Sequence, residues 1–228
     1  MKAPCYNAHM VPCPWSAYEP GTISFCEERL CAWVVEPSNA WSNIGYVIAG
    51  ILVLLGARRR IPFFVIGIST IFIGFGSFAF HGTGTRIGEV LDLAAMYCLA
   101  GIGLVFAFRR FVPMSTTTFV LTYLGIVAAS VALMVGLHTN GIFMFAAQFA
   151  SVILLEVYLY ATGRRAPDYR WQWGLVASFG LAFFIWNLDK WKVLCDPRNH
   201  FVTGHAVWHV LAAITIYCYF RFQDKIVT

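Results

Sequence analysis

Three histidines and one aspartate lie inside apolar stretches of this chain, where ionisable groups are rare and need a partner or a task. His81 closes one hydrophobic run, four residues after Ser77. His205 and His209 stand four apart at the head of another, and Asp92 lies early in a third. Three imidazoles beside one carboxylate suit a catalytic zinc ion, which takes three protein ligands and keeps a fourth position open. Residues four apart share a helical face, so His205 and His209 can reach one ion together. No glutamate stands between them, unlike the zinc-protease helix. The base must therefore come from elsewhere, and Asp92 is the available carboxylate. The Ser77 hydroxyl either bonds a carbonyl of its own helix or, one turn from His81, serves as a ligand-side hydroxyl or oxyanion donor.

The frame for these residues is a membrane. The 228 residues are 59% hydrophobic and 12% charged, against about a quarter charged in soluble domains. The length fits one domain. The net charge of +5 is small. Its basic residues fall in short clusters between apolar runs, which read as topology signals and point to no nucleic-acid partner. Residues 1–21 hold four prolines, two cysteines and no apolar core run. They are no signal peptide, and the first hydrophobic helix serves as the targeting signal.

A bilayer core needs about 20 apolar residues per helix. Seven stretches qualify, at approximately 39–57, 62–81, 87–108, 117–137, 141–161, 171–188 and 201–222. The sixth is the weakest, being short and ending in Asn187 and Asp189. The expected fold is all-α, a seven-transmembrane helix bundle over 39–228 with an extracytoplasmic N-terminal segment, 1–38. Arg58, Arg59 and Arg60, then Arg109 and Arg110, then Arg164, Arg165 and Arg170, then Arg221 and Lys225 follow the odd-numbered spans. The positive-inside rule then puts the N-terminus outside and the C-terminus in the cytoplasm.

Orientation sets depth. The second span runs outward, so His81 lies near its outer end with Ser77 about 6 Å deeper, at 1.5 Å per residue. The third and seventh spans run inward, which puts Asp92, His205 and His209 one to two turns below the outer surface. All five residues share one depth, on the extracytoplasmic side. His9, His138 and His200 read as loop histidines, and Glu156 as a polar contact within the bundle. Trp171, Trp173, Trp186, Trp191 and Trp208 read as an interfacial belt. Cys5, Cys13, Cys26, Cys31 and Cys195 map to the outer, oxidising side, where disulfides are permitted but their pairing does not follow from counts.

Several scattered stretches resemble the alkaline ceramidase family of membrane hydrolases. They are Cys26-Glu27-Glu28, Glu36 with Asn39, Ser42-Asn43, Ser77 through His81, Asp92, Asn187-Leu188-Asp189 before Cys195, and His205 through His209. More distantly, the Ser, Asp and three-His pattern is similar to that of the adiponectin receptors. The resemblance implies a seven-helix bundle with zinc held by His81, His205 and His209. It makes Asp92 the group that orients or deprotonates the attacking water, and Ser77 the stabiliser of the oxyanion. It implies a lipid substrate, ceramide or another N-acyl lipid, cleaved to a fatty acid and an amine such as sphingosine. It also implies a disulfide between Cys26 and Cys195.

The family carries calcium near its N-terminus, and Glu27 and Glu36 match acidic ligands there. The chain departs from that pattern at Ser24, where aspartate is usual, and at Arg29, where asparagine is usual. An arginine opposes calcium, which prefers several oxygen ligands. The other reading makes Glu27, Glu28 and Glu36 a solvated, capping acidic segment. Two rival functions stand beside the hydrolase. One is a seven-helix receptor or sensor with structural zinc, which a closed ligand shell would favour. The other is a haem or proton-carrying membrane protein; two histidines one turn apart on one helix cannot sit on opposite haem faces, which argues against bis-histidine haem.

Overall fold

A computed structural model describes residues 12–137, 141–163 and 168–227. His9, His138, Cys5, Arg164 and Arg165 lie outside the described residues. The regular structure is helical: α1 (Pro37–Trp41), α2 (Ile44–Gly56), α3 (Ile61–Thr83), α4 (Arg86–Arg109), α5 (Thr116–Gly136), α6 (Ile142–Ala161), α7 (Arg170–Lys190) and α8 (Gly204–Val227). Helix starts carry the expected signals. Pro62 opens α3 within its first two positions, where a missing N–H costs nothing. Thr85 and Ser115 accept backbone N–H groups as the N-caps of α4 and α5.

Five spans are long and apolar enough to cross a membrane: Pro37–Gly56 (α1 with α2), α3, α4, α5 and α6. Helices are present at all seven expected positions, but α7 and α8 fall short of that composition. They carry the polar residues of the site and its supports: α7 ends in Asp189 and Lys190, and α8 holds His205 and His209 before Arg221, Gln223, Asp224 and Lys225. Apolar side chains cover the outer faces of α5 and α6. Leu154 and Val157 are 68% and 60% exposed, a surface that suits lipid and not water.

α3 lies between α2 and α4; α4 packs on α5 and α6, and α8 packs on α2 and α7. Phe63, Ile66, Ala95, Ile102, Phe106, Ile216 and Phe220 fill the middle of the bundle. Residues 12–36 cross one end of it. Their backbone is stitched to the α3–α4 turn through Val35 N–H to Gly82 O and Gly21 N–H to Gly84 O, and to the α7–α8 loop through Glu28 N–H to Pro197 O. Disulfides Cys13–Cys31 and Cys26–Cys195 hold the same end. The tryptophans differ in their surroundings. Trp173 and Trp191 are exposed, while Trp186 packs against Phe25, Phe183 and Trp208.

Candidate metal centre

Glycine sets how closely α3 and α4 approach. Gly84 ends α3 at φ 66°, a left-handed conformation that glycine adopts without strain. A Cβ on Gly76 would stand 2.8 Å from Leu91 O and 3.3 Å from Asp92 N, and one on Gly88 would stand 2.7 Å from Phe80 Cα. The two backbones therefore touch. Their contact brings Ser77 against the Asp92 carboxyl, which also lies in the field of His81. Ser77 is buried and Asp92 half-buried.

The start of α8 is fixed from two sides. Thr203 Oγ1 accepts the Ala206 N–H at 3.0 Å and donates to Asn39 Oδ1 at 2.6 Å. The buried Asp189 carboxylate accepts the His205 N–H at 3.0 Å and the Cys26 N–H at 2.9 Å. A carboxylate there complements the positive end of the helix dipole. The outcome is that His205 and His209 enter the same buried space as His81.

One ligand nitrogen from each histidine lies within 4.8 Å of the others, and His81 Nε2 is 3.1 Å from His205 Nε2. The surroundings assign the tautomers. The His81 Nδ1–H donates to Glu36 Oε2 at 2.6 Å. The Ser42 hydroxyl donates to Asn39 O at 2.9 Å, so its oxygen accepts from His209 Nδ1–H at 2.8 Å. Both arrangements leave an Nε2 lone pair facing the cluster. His205 Nδ1 has no partner among the described residues, and its ring stacks on Phe25 at 3.6 Å between centroids. Either a proton on His205 Nε2 or a cation between the rings accounts for two ring nitrogens at this range. Metal–nitrogen bonds of about 2.0–2.1 Å in a tetrahedral shell put ligand atoms about 3.3 Å apart. The 3.1 Å separation and the convergence of three buried imidazoles fit a divalent metal ion.

Glu36 supports this centre. Its carboxylate accepts from His81, from Arg29 Nε at 2.9 Å and from Asn39 Nδ2 at 3.1 Å. Burial alone raises its pKa, but the contacts with His81 and Arg29 outweigh burial and hold it below the usual carboxylate range. Arg29 continues outward, donating from Nη1 to Gly84 O at 3.2 Å and from Nη2 to Ile23 O at 3.0 Å. The pair orients one ligand through its second nitrogen, as outer carboxylates do for metal-bound histidine. We expect Glu36→Gln to weaken metal affinity by roughly 10–100-fold, the range for such partners, with helix content unchanged. Competition against a chromophoric chelator measures this, and an unaltered affinity would remove the orienting role.

The expectation that Glu27, Glu28 and Glu36 form a solvated segment needs correction for two of the three. Glu27 and Glu36 are 3% and 1% exposed, because helix capping and ion pairing compensate their burial. Glu27 accepts the Ser38 and Asn39 N–H groups at 2.9 Å each, together with His200 Nδ1 at 2.9 Å. Every oxygen of this proposed calcium pair thus has a protein donor, and one donor is a guanidinium. The sequence reading gave no role to His200, to Ser42 or to Asp189. Ser42 and Asp189 lay within the stretches that carried the family resemblance; His200 had no such signal, because its partner is 173 residues away. Tyr46 was likewise missed; its ring lies 5.8 Å from that of His209. Glu156 accepts two hydrogen bonds from Arg110 Nη1, at 2.8 and 2.6 Å.

Residues 17–227 match the family model described as Ceramidase. The chain belongs to the ceramidase family. It is similar to alkaline ceramidase 1 of Homo sapiens, 26% identical over 218 residues, which cover 87% of this chain and 80% of that protein. Alkaline ceramidase 1 of Mus musculus is 26% identical over 226 residues, covering 87% and 77%. The alkaline ceramidase of Drosophila melanogaster is 25% identical over 222 residues, covering 89% and 77%. A ceramidase is a hydrolase acting on an amide bond, and the matched segment includes every residue of the histidine cluster and its supports.

Proposed function

We propose that this ceramidase-family protein is a zinc-dependent hydrolase of the membrane, cleaving ceramide or a related N-acyl lipid to a fatty acid and a sphingoid-type amine. The observation that carries the reading is the convergence of His81, His205 and His209 beside Asp92 and Ser77. The three imidazoles would hold the ion, which would polarise the amide carbonyl and bring the acidity of water to near neutral pH. Asp92 accepts the proton of the attacking water and returns it to the departing nitrogen, which leaves as an amine only when protonated. The Ser77 hydroxyl donates to the amide oxygen as that oxygen gains charge. Glu36 and Ser42 keep His81 and His209 in the tautomer that presents Nε2.

In this reading the chain spans the membrane seven times with its N-terminus outside, and the centre lies toward the extracytoplasmic side. Two features support that orientation. The disulfides lie at the histidine end, and such bonds persist in oxidising compartments. Arg58, Arg59, Arg109, Arg110 and Lys225 lie at the other end, as cytoplasmic loops require. A receptor or sensor would use a closed shell, whereas three histidines are the ligand number that catalytic zinc sites use.

Purified protein assayed across ceramides and other N-acyl lipids, as isolated, chelated and zinc-restored, tests the proposal. Fatty acid release that disappears with chelation and returns with zinc is the expected result. Absence of amide cleavage from every lipid by zinc-loaded protein would overturn it.

A further inference from the structure

The end of the bundle away from the histidines holds a second cluster of polar groups. Arg109 ends α4, and Arg110 caps it. A cavity of about 300 Å³ opens beside them, lined by Phe106, Arg109, Arg110, Gln223 and Ile226. Gln223 on α8 lies 18 residues beyond His205, or about 27 Å at 1.5 Å per residue. This cavity is therefore separate from the metal centre.

Its polar groups are unequally matched. Arg110 is engaged by Glu156, both of whose oxygens it contacts. Asp224, also nearby on α8, pairs with Arg60. Arg109 is half-buried and makes no ion pair or hydrogen bond with a described residue. Gln223 is only 1% exposed, and its Nε2 finds no well-placed hydrogen-bond acceptor among the described residues, although the Tyr219 hydroxyl lies close enough to the side chain to interact with it. A buried amide donor left unmatched is costly, and a guanidinium half-removed from water favours an oxyanion. The positive end of topology accounts for arginines at this end in general. It does not account for a buried glutamine amide in the wall of the same cavity.

We infer that Arg109 and Gln223, beside the Arg110–Glu156 pair, form an anion site that takes the phosphate of an anionic phospholipid. The guanidinium fork matches two phosphate oxygens, and the Gln223 amide donates to a third. Phe106 and Ile226 form apolar walls next to the charge, as a headgroup joined to acyl chains requires and a free ion does not. Basic pockets between membrane helices bind lipid headgroups in this manner. The bound phosphate ties α4 to α8, the helices that carry Asp92 and two of the histidines at their other ends.

Native mass spectrometry of the full chain, with phosphatidylglycerol or phosphatidylcholine of matched acyl chains, tests the site. Thermal melting in inorganic phosphate is the second arm. The expected result is selective retention of one phosphatidylglycerol, lowered about tenfold or more in Arg109→Gln, the loss of a charge-assisted hydrogen bond. Gln223→Glu keeps the side-chain size, adds a like charge to the phosphate and is expected to lower retention similarly. Unchanged zinc content reports that each variant is folded. Equal retention of both lipids, or of phosphatidylglycerol by wild type and both variants, overturns the site. Stabilisation by inorganic phosphate without retention of lipid overturns its assignment to a phospholipid.

Discussion

Replacing His205 with alanine is expected to empty the centre of zinc and to reduce amide hydrolysis to the level of chelated protein. His205 Nε2 lies 3.1 Å from His81 Nε2, so its removal takes away one of three ligands. The two that remain, His81 and His209, are on different helices. The loss of affinity should exceed the roughly 10–100-fold typical of outer partners, and zinc content should fall from about one ion per chain to near none. His205 has a further trait that isolates the metal effect. Its Nδ1 has no hydrogen-bond partner among the described residues, so alanine orphans no acceptor there. Elemental analysis, helix content and turnover of a fluorescent ceramide are measured together. Equal zinc in wild type and variant would remove the three-histidine site.

Asp92→Asn should separate chemistry from metal binding. The side chain keeps its size and polarity but cannot accept a proton from water at working pH. Hydrolysis should fall by roughly 10²-fold or more, the scale of general-base catalysis. Zinc should be retained, because His81, His205 and His209 are untouched and hold their orientation through Glu36, Asp189 and Ser42. Normal turnover with full zinc would refute the assignment of the base. An acyl group trapped on Ser77 would replace water attack with a serine nucleophile.

Much of the frame was legible in the sequence because hydrophobic runs report membrane length directly. The run expected at 62–81 is α3, Ile61–Thr83, and that at 87–108 is α4, Arg86–Arg109. The final run, expected at 201–222, is α8, Gly204–Val227. It begins later because Asn199 and Thr203 organise the preceding turn. It continues further because Gln223 is buried and Asp224 pairs with Arg60, so polar residues that read as a loop remain in the helix. Periodicity carries no information about partners on other elements.

The sequence alone determined which side chains could do chemistry. An i,i+4 pair must share a helical face, an ionisable group in hydrocarbon must have a partner, and alternating loop charges led to the expectation of a common depth for His81, Asp92, His205 and His209. Only the tertiary structure decided how those groups are tuned. The Arg29–Glu36–His81 chain joins the N-terminal segment to α3, and Ser42 meets His209 across 167 residues. Backbone contact at Gly76 sets Ser77 against Asp92. Glu27 and Glu36 read either as calcium ligands or as a solvated, capping acidic segment, because a local pattern registers charge but not the distant donors that make burial tolerable. Those donors, His81, His200 and the N–H groups of α1, are gathered only when the chain closes over its own end.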